Sequence, residues 1–218
     1  MLEARDLNFK YMLSRFHLDN VSLTIEKGYV YALTGSNGAG KTTLLRLLYG
    51  ALTPRSGKVL WKEKPVNART LAKFRSEVAQ VGIPWCDSRA TVEDNAELYK
   101  TLYPTFDDAY WESLLRSMKL WGTAHSARYG ALSAGEATKV DIAFALARRP
   151  ELLILDEPLA NLDPVFKTEI TELLRDAVAK DGLTVLMSSN LIDEIRGFAD
   201  YFGVIRDGAL VKWGENSL

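Results

Sequence analysis

Residues 35–42 read GSNGAGKT, from Gly35 to Thr42, and they match the pattern G-x-x-x-x-G-K-[ST]. The apolar run Tyr29–Leu33 precedes them, and a helix-forming run, Thr42–Tyr49, follows and stops at Gly50. A strand, a glycine-rich loop and a helix in that order suit phosphate. Glycines let backbone N–H groups point inward, and the helix start adds its positive end. The stretch Gly35, Ser36, Asn37, Gly38, Ala39, Gly40, Lys41, Thr42 and Thr43 is therefore a candidate phosphate cradle. Lys41 supplies a point charge for the β- and γ-phosphates, and the Thr42 hydroxyl is placed to ligate Mg²⁺.

Downstream, Leu152–Leu155 is an unbroken apolar run that ends in Asp156 and Glu157. Such a run predicts a parallel strand covered on both faces. One carboxylate at its tip can hold Mg²⁺, and the second can deprotonate a water that attacks a γ-phosphate. The turn after the strand lets both approach one ligand. Between the loop and these acids, residues 91–149 read as helices. Thr91 caps one carrying Ala96, Leu98, Leu102 and Tyr103, and Asp107 or Asp108 opens the next. Ser133 opens a third, with Glu136 completing a capping box and Val140, Ala143, Phe144 and Ala147 as its apolar stripe. Asp163-Pro164 caps a later helix. Val185–Met187 and Phe202–Ile205 read as strands, with Leu191–Phe198 as a helix between them. The alternation predicts an α/β core with crossover connections.

Composition narrows the class. The 218 residues are 47% hydrophobic, with 27 basic and 28 acidic side chains and a net charge of −1. This balance gives no electrostatic case for a nucleic-acid partner. The single cysteine, Cys86, rules out an internal disulfide, and no Cys/His spacing suggests zinc. No run reaches the length of a membrane span, and the charged start MLEARDL lacks a signal peptide's apolar core. The expectation is a reducing, cytoplasmic setting, with any membrane role passing through a partner.

Taken together, the motifs resemble the nucleotide-binding subunits of ABC (ATP-binding cassette) transporters. GSNGAGKTT looks like the family's Walker A, LSAGE (132–136) like its signature LSGGQ, LLILDEP (152–158) like Walker B with its glutamate, and ANLD (160–163) like its D-loop. The resemblance covers essentially the whole chain. It implies a single α/β domain with the P-loop NTPase ABC-ATPase fold. Residues 1–90 and 150–218 would form an N-terminal antiparallel β-subdomain plus a RecA-like core, and residues 91–149 a helical signature subdomain.

It implies, too, that two cassettes pack head to tail, as a homodimer or heterodimer, around two ATPs with Mg²⁺. Ser133 and Gly135 would grip the γ-phosphate bound by the other copy, and Asp163 would lie near the nucleotide. Asp156 would serve the metal, and Glu157 would be the general base. Tyr11 sits where the family has an aromatic that stacks on adenine; as a residue alone it reads equally as a strand-end core aromatic. The chain would act as the ATPase of a transporter, peripheral on the inner face of the cell membrane through a permease.

Three departures stand out. Leu186-Met187-Ser188-Ser189-Asn190 aligns with a stretch that ends in the family's switch histidine, so Asn190 replaces a group able to carry charge or shuttle a proton. The metal-ligating glutamine of the family finds its nearest candidate in Gln80, early in the run Val78–Trp85, where a core-strand glutamine is the alternative. Ala134 and Glu136 soften the signature, and Glu136 opposes an anion unless capping turns it aside. Intact Lys41, Thr42, Asp156 and Glu157 favour a working motor; Asn190 favours a nucleotide-gated module with slow turnover. A soluble ABC ATPase acting on ribosomes or DNA is disfavoured, since the chain shows neither fused cassettes nor a coiled-coil insertion. MLEARDL and the flank GSNGAGKTTLLRLL resemble haem-export ATPases of cytochrome c maturation, whereas Leu102–Asp107 resembles small exporter cassettes of Gram-positive bacteria that act on peptides or drugs; the two resemblances conflict and fix no cargo, and export is the expectation over import. Beyond Trp213-Gly214 no regulatory domain is expected.

Overall fold

A computed structural model describes residues 1–13, 16–81, 86–160, 162–190 and 195–216. Strands β1 (Leu2–Lys10), β2 (His17–Ile25), β4 (Ser56–Trp61) and β5 (Lys64–Pro65) form an antiparallel sheet ordered β2-β1-β4-β5. In β2, Leu18, Val21, Leu23 and Ile25 are buried between exposed polar residues, and Leu2 pairs with Ile25 and Ala4 with Leu23. That near-alternation is what a sheet with one wet face requires.

The second sheet contains β3 (Val30–Thr34), β6 (Val78–Val81), β7 (Leu152–Leu155), β8 (Thr184–Ser189), β9 (Tyr201–Arg206) and β10 (Ala209–Glu215), ordered β10-β9-β3-β8-β7-β6. Only β10 runs antiparallel to its neighbour. β3, β7 and β8 are buried at every position, as strands covered on both faces must be. The apolar run before the phosphate loop, β3, thus lies at the middle of this sheet. Its lack of polar alternation is the reason.

Successive strand residues feed two separate apolar cores. Val30, Ala32, Leu153, Leu155, Val185 and Met187 face the helices α3 (Val92–Leu102), α4 (Asp108–Ser117), α5 (Trp121–Ser126), α6 (Ala134–Ala147) and α7 (Pro164–Asp181). Tyr31, Leu33, Leu152, Ile154 and Leu186 face α1 (Lys41–Leu48), Phe74 of α2 (Leu71–Glu77) and the antiparallel sheet.

Two helices depart from the expected faces. In α3, Leu98 and Leu102 are exposed, while Val92, Asn95 and Ala96 are buried. Asn95 accepts from the Asp87 N–H and donates to the carbonyls of Asp87 and Thr91, which fixes that face inward. In α6 the four expected positions are buried, but so are Ile142, Ala145 and Leu146. The helix is enclosed around its circumference rather than along one stripe. Phe144 is stacked between Tyr99 and Trp111, both at 4.5 Å. Of the helix expected at 191–198, residues 191–194 lie outside the described residues; Ile195 is buried and helical, and a turn follows.

Candidate nucleotide site

The loop from Gly35 to Gly40 joins the tip of β3 to the start of α1, at the middle of the parallel sheet. A Cβ on Gly35 would lie 2.3 Å from the Ile205 carbonyl oxygen, so only glycine allows the close approach of β9. Gly40 sits at φ +114°, and a Cβ there would lie 2.7 Å from Phe16 Cζ. Gly40 caps α1 without any side-chain hydrogen bond. The first N–H groups of the helix, those of Lys41, Thr42 and Thr43, have no intrahelical acceptor and carry the positive end of the helix dipole. The Ala39 N–H donates to the Ser36 carbonyl, and the Gly208 N–H donates to the Ala39 carbonyl, tying the loop to the β9–β10 turn. Ser36 and Asn37 are exposed.

Lys41 is only 4% exposed. Its Nζ donates to the carbonyls of Gly35 (2.8 Å) and Ser36 (3.3 Å), and it lies 3.1 Å from Glu157 Oε1. The acidic strand end is tightly built. Ser188 Oγ donates to Asp156 Oδ1 at 2.7 Å, and the Glu157 N–H donates back to Ser188 Oγ at 2.9 Å. Glu157 adopts φ +49°, and the turn closes with the Ala160 N–H on the Glu157 carbonyl. The chain therefore reverses at the strand tip, and Asp156 and Glu157 line one cavity.

That cavity measures about 630 Å³. Lys41, Thr42, Asp156 and Glu157 share it with Asn37, Gly38, Gly40 and Thr43 of the loop, and Tyr11 and Phe16 complete the wall. Its hard oxygen donors suit Mg²⁺, and an uncapped helix start beside a buried lysine suits a polyphosphate. Of the two roles considered for it, Tyr11 shows the packing one. It packs edge-on against Phe9, with centroids 4.8 Å apart, and its hydroxyl is 3.3 Å from Thr43 Oγ1 at the cavity wall.

The other expected residues lie elsewhere. Gln80 is buried in β6 and is not among the residues lining the cavity; among the described residues its Oε1 has no hydrogen-bond partner. Residues 82–85, the rest of that stretch, lie outside the described residues. Asn190 is exposed just past the end of β8, where Ser189 pairs with Thr34 at the root of the loop. Ser133, also exposed, starts α6. Its N–H and hydroxyl donate to Glu136 Oε2 at 2.9 and 2.7 Å, and its oxygen accepts from the Glu136 N–H at 3.3 Å. These bonds hold the Glu136 carboxyl below the usual carboxylate range.

A Cβ on Gly135 would lie 3.1 Å from the Phe166 ring. Asp163 caps α7, accepting from the N–H groups of Val165 and Phe166. Asn161, in the expected D-loop, lies outside the described residues. Ser133, Gly135 and Asp163 do not line the cavity that holds Lys41. Two residues of the site were given no role from sequence. Phe16 carries no motif. Ser188 left one signal, a polar residue where a buried strand should still be apolar.

Among the described residues, no helix is long and apolar enough to cross a membrane. The family model described as ABC transporter matches residues 18–160. The lantibiotic transport ATP-binding protein SrtF of Streptococcus pyogenes is 31% identical over 211 residues, spanning 97% of this chain and 89% of its own. The energy-coupling factor transporter ATP-binding protein EcfA of Methanocaldococcus jannaschii is 33% identical, over 98% of this chain and 78% of its own. A solved ATP-binding subunit of an ABC transporter superposes with a TM-score of 0.88 at 27% identity, covering 99% of this chain and 90% of that one. The two sheets and the helical region thus form an ABC ATPase fold, and the chain belongs to the ABC transporter family as an ATP-binding subunit.

Proposed function

We propose that the chain binds Mg-ATP in the cavity around Lys41, hydrolyses it in a head-to-tail pair with a second cassette, and drives a membrane permease from the cytoplasmic face. The observation that carries this reading is the convergence of Lys41, Thr42, Asp156 and Glu157 on one cavity.

The resting chain holds Lys41 against Glu157. When phosphate enters, the Nζ exchanges that carboxylate for the β- and γ-oxygens, and the N–H groups at the start of α1 take the remaining oxygens. Thr42 and Asp156 hold Mg²⁺, with Gln80 as the third candidate ligand. Mg²⁺, when bound, neutralises charge on the transferred and leaving phosphates. Freed from Lys41, Glu157 accepts the proton of the attacking water. Tyr11 offers its ring face to adenine. Ser133 and Gly135 serve the nucleotide held by the partner copy, with Asp163 beside it. Glu136 occupies the Ser133 N–H and hydroxyl, so Ser133 must exchange that carboxylate for phosphate, as Lys41 exchanges Glu157.

Export is the direction we propose, on the likeness of residues 102–107 to exporter cassettes. Residues 1–90 and 150–218 act as the nucleotide-binding unit and residues 91–149 as the signature unit. Titration of the purified chain with Mg-ATP tests the reading: it predicts saturable heat and phosphate release that rises with the square of protein concentration where dimers are scarce. Folded protein that gives no heat overturns it. Asn190 favours a second reading, an ATP-gated cassette that pairs but turns over slowly; binding and pairing without phosphate release would select it.

A further inference from the structure

Ser188 is fully buried at the end of β8, where the strand lies between β3 and β7. The register pairs it with Leu33, and its neighbour Met187 with Leu155, so it stands beside the point where β7 gives way to Asp156. A serine hydroxyl has one proton and two lone pairs. Here the proton goes to Asp156 Oδ1 (2.7 Å), and a lone pair takes the N–H of Glu157 (2.9 Å). The two residues it ties are consecutive in the chain but have different tasks in the proposed function. One hydrogen bond fixes the rotation of the Asp156 carboxylate. The other holds the peptide that leads into the φ +49° turn at Glu157, a conformation costly for a residue with a side chain. An apolar side chain in this slot would fill the space and do neither.

We infer that Ser188 is a positioning residue, which orients the Asp156 carboxylate toward the metal and the Glu157 carboxylate toward the attacking water through a single hydroxyl. The inference rests on the proposed function, since it assigns Ser188 to the residues named there. Partners that orient metal-binding carboxylates characteristically matter for metal affinity and rate, whereas a hydroxyl that merely satisfied buried groups would affect stability alone.

Purified wild type and the variants Ser188→Ala, Ser188→Thr and Ser188→Cys test it. ADP affinity is measured without metal, then the Mn²⁺ concentration that gives half of the metal-induced gain in affinity, then turnover at saturating Mn²⁺ and ATP. Ser188→Ala should keep metal-free ADP affinity within about twofold while the Mn²⁺ requirement rises and turnover falls, each by about 10- to 100-fold. Ser188→Thr, which keeps the hydroxyl, should recover most of both losses. Ser188→Cys, close in size with a weak donor, should behave as alanine does and serves where threonine is too large to fold. A folded Ser188→Ala with an unchanged Mn²⁺ requirement overturns the inference, as does a loss of metal-free affinity by the same factor. A wild type that binds no nucleotide overturns the proposed function beneath it. Binding without turnover leaves the Mn²⁺ requirement to decide.

Discussion

Lys41 and Ser133 head two helix ends to which the proposed function assigns phosphate, and their surroundings differ. Lys41 is enclosed at the tip of a central strand, with its charge held by Glu157 and two loop carbonyls. Ser133 is exposed, and its hydrogen bonds close on its own helix through Glu136. The first end gathers the loop after β3, the start of α1 and the acids that follow β7 into one cavity; the second presents a finished helix terminus to the outside. A terminus that satisfies itself locally needs nothing further from its own chain. A phosphate arriving on another copy would first have to displace Glu136 from Ser133. Phe166 packs on Gly135 and Lys139 pairs with Glu169, so the Ser133 helix is joined to the helix capped by Asp163. Both elements proposed to face the partner therefore rest on one packed unit.

The contrast is broken most sharply at Glu157. If it is the base, Glu157→Gln should lower phosphate release by about 1,000-fold, within the range of general-base removal, while ATP binding persists. Release within tenfold of wild type would remove Glu157 from the chemistry. Lys41→Ala follows. Losing a charge-assisted contact to phosphate should weaken Mg-ATP affinity by about 100-fold, equivalent to about 2.7 kcal/mol, as read by calorimetry. The two variants separate binding from turnover within the enclosed half alone.

The helical half carries a part-buried acid, Asp141, with no salt bridge to it among the described residues. Asp141 lies on the Ser133 helix, accepts from the Tyr129 hydroxyl at 2.8 Å, and has the Cys86 sulfur 4.0 Å away. Burial pushes its carboxyl up to about 6 and the Cys86 thiol up to about 12. Folded Asp141 thus keeps its proton to higher pH than the unfolded chain does. Between about pH 4 and 6 the folded state binds more protons, so stability from this group falls as pH rises, and the full penalty applies above 6. Asp141→Asn should raise stability at pH 8 by about 1–2 kcal/mol, less than the roughly 3 kcal/mol implied by the shift because the neutral amide is a weaker acceptor. The gain should vanish near pH 4. Denaturant melts at both pH values decide it, and equal stability at pH 8 would show that the carboxylate is better solvated than its position implies.

Ser133→Ala tests the self-contained terminus itself. Loss of the cap should cost about 1 kcal/mol, or about 2–4 °C in Tm for a chain of this size. Mg-ATP binding by the dilute chain should be unchanged, since Ser133 does not line its cavity. Binding that fell together with Tm would place this helix against its own nucleotide.

The two halves were also unequally legible. GSNGAGKT could be read because glycine spacing specifies backbone conformation directly, and Gly40 at φ +114° beside Phe16 is the physical counterpart of that pattern. The caps at Thr91, Asp107, Ser133 and Asp163 were readable for the same local reason. Packing in the helical region was not. Leu98 and Leu102 look like core residues until Asn95, bonded to Asp87, turns the other face inward. α2, β5, β6 and β10 gave no periodicity strong enough to place them, being short or half exposed. Ser188 depends on a strand pairing between residues more than thirty apart, and no local pattern carries that.

Asn190 separates the motor from the gated module, and its expected effect is the smallest. Its carboxamide can donate to a γ-phosphate oxygen without charge. An imidazole at the same place adds a proton that titrates near neutrality. Asn190→His should therefore leave Mg-ATP affinity within about twofold and raise turnover by less than about tenfold, the lower end of what one added acid–base group supplies. The gain should also depend on pH. The wild-type rate should lack a limb near pH 6.5, and the variant should acquire one as the imidazole titrates. A pH–rate profile of both proteins reads this directly. A fast wild type unchanged by histidine favours a motor whose water is held by Glu157 and the Ser188-braced turn alone. A slow wild type accelerated a hundredfold would make residue 190 the limiting part and the gated reading the better one. Turnover that is slow in both shifts attention to the partner's Ser133 and the partner's Gly135, proposed phosphate contacts that the isolated chain does not bring to its own cavity.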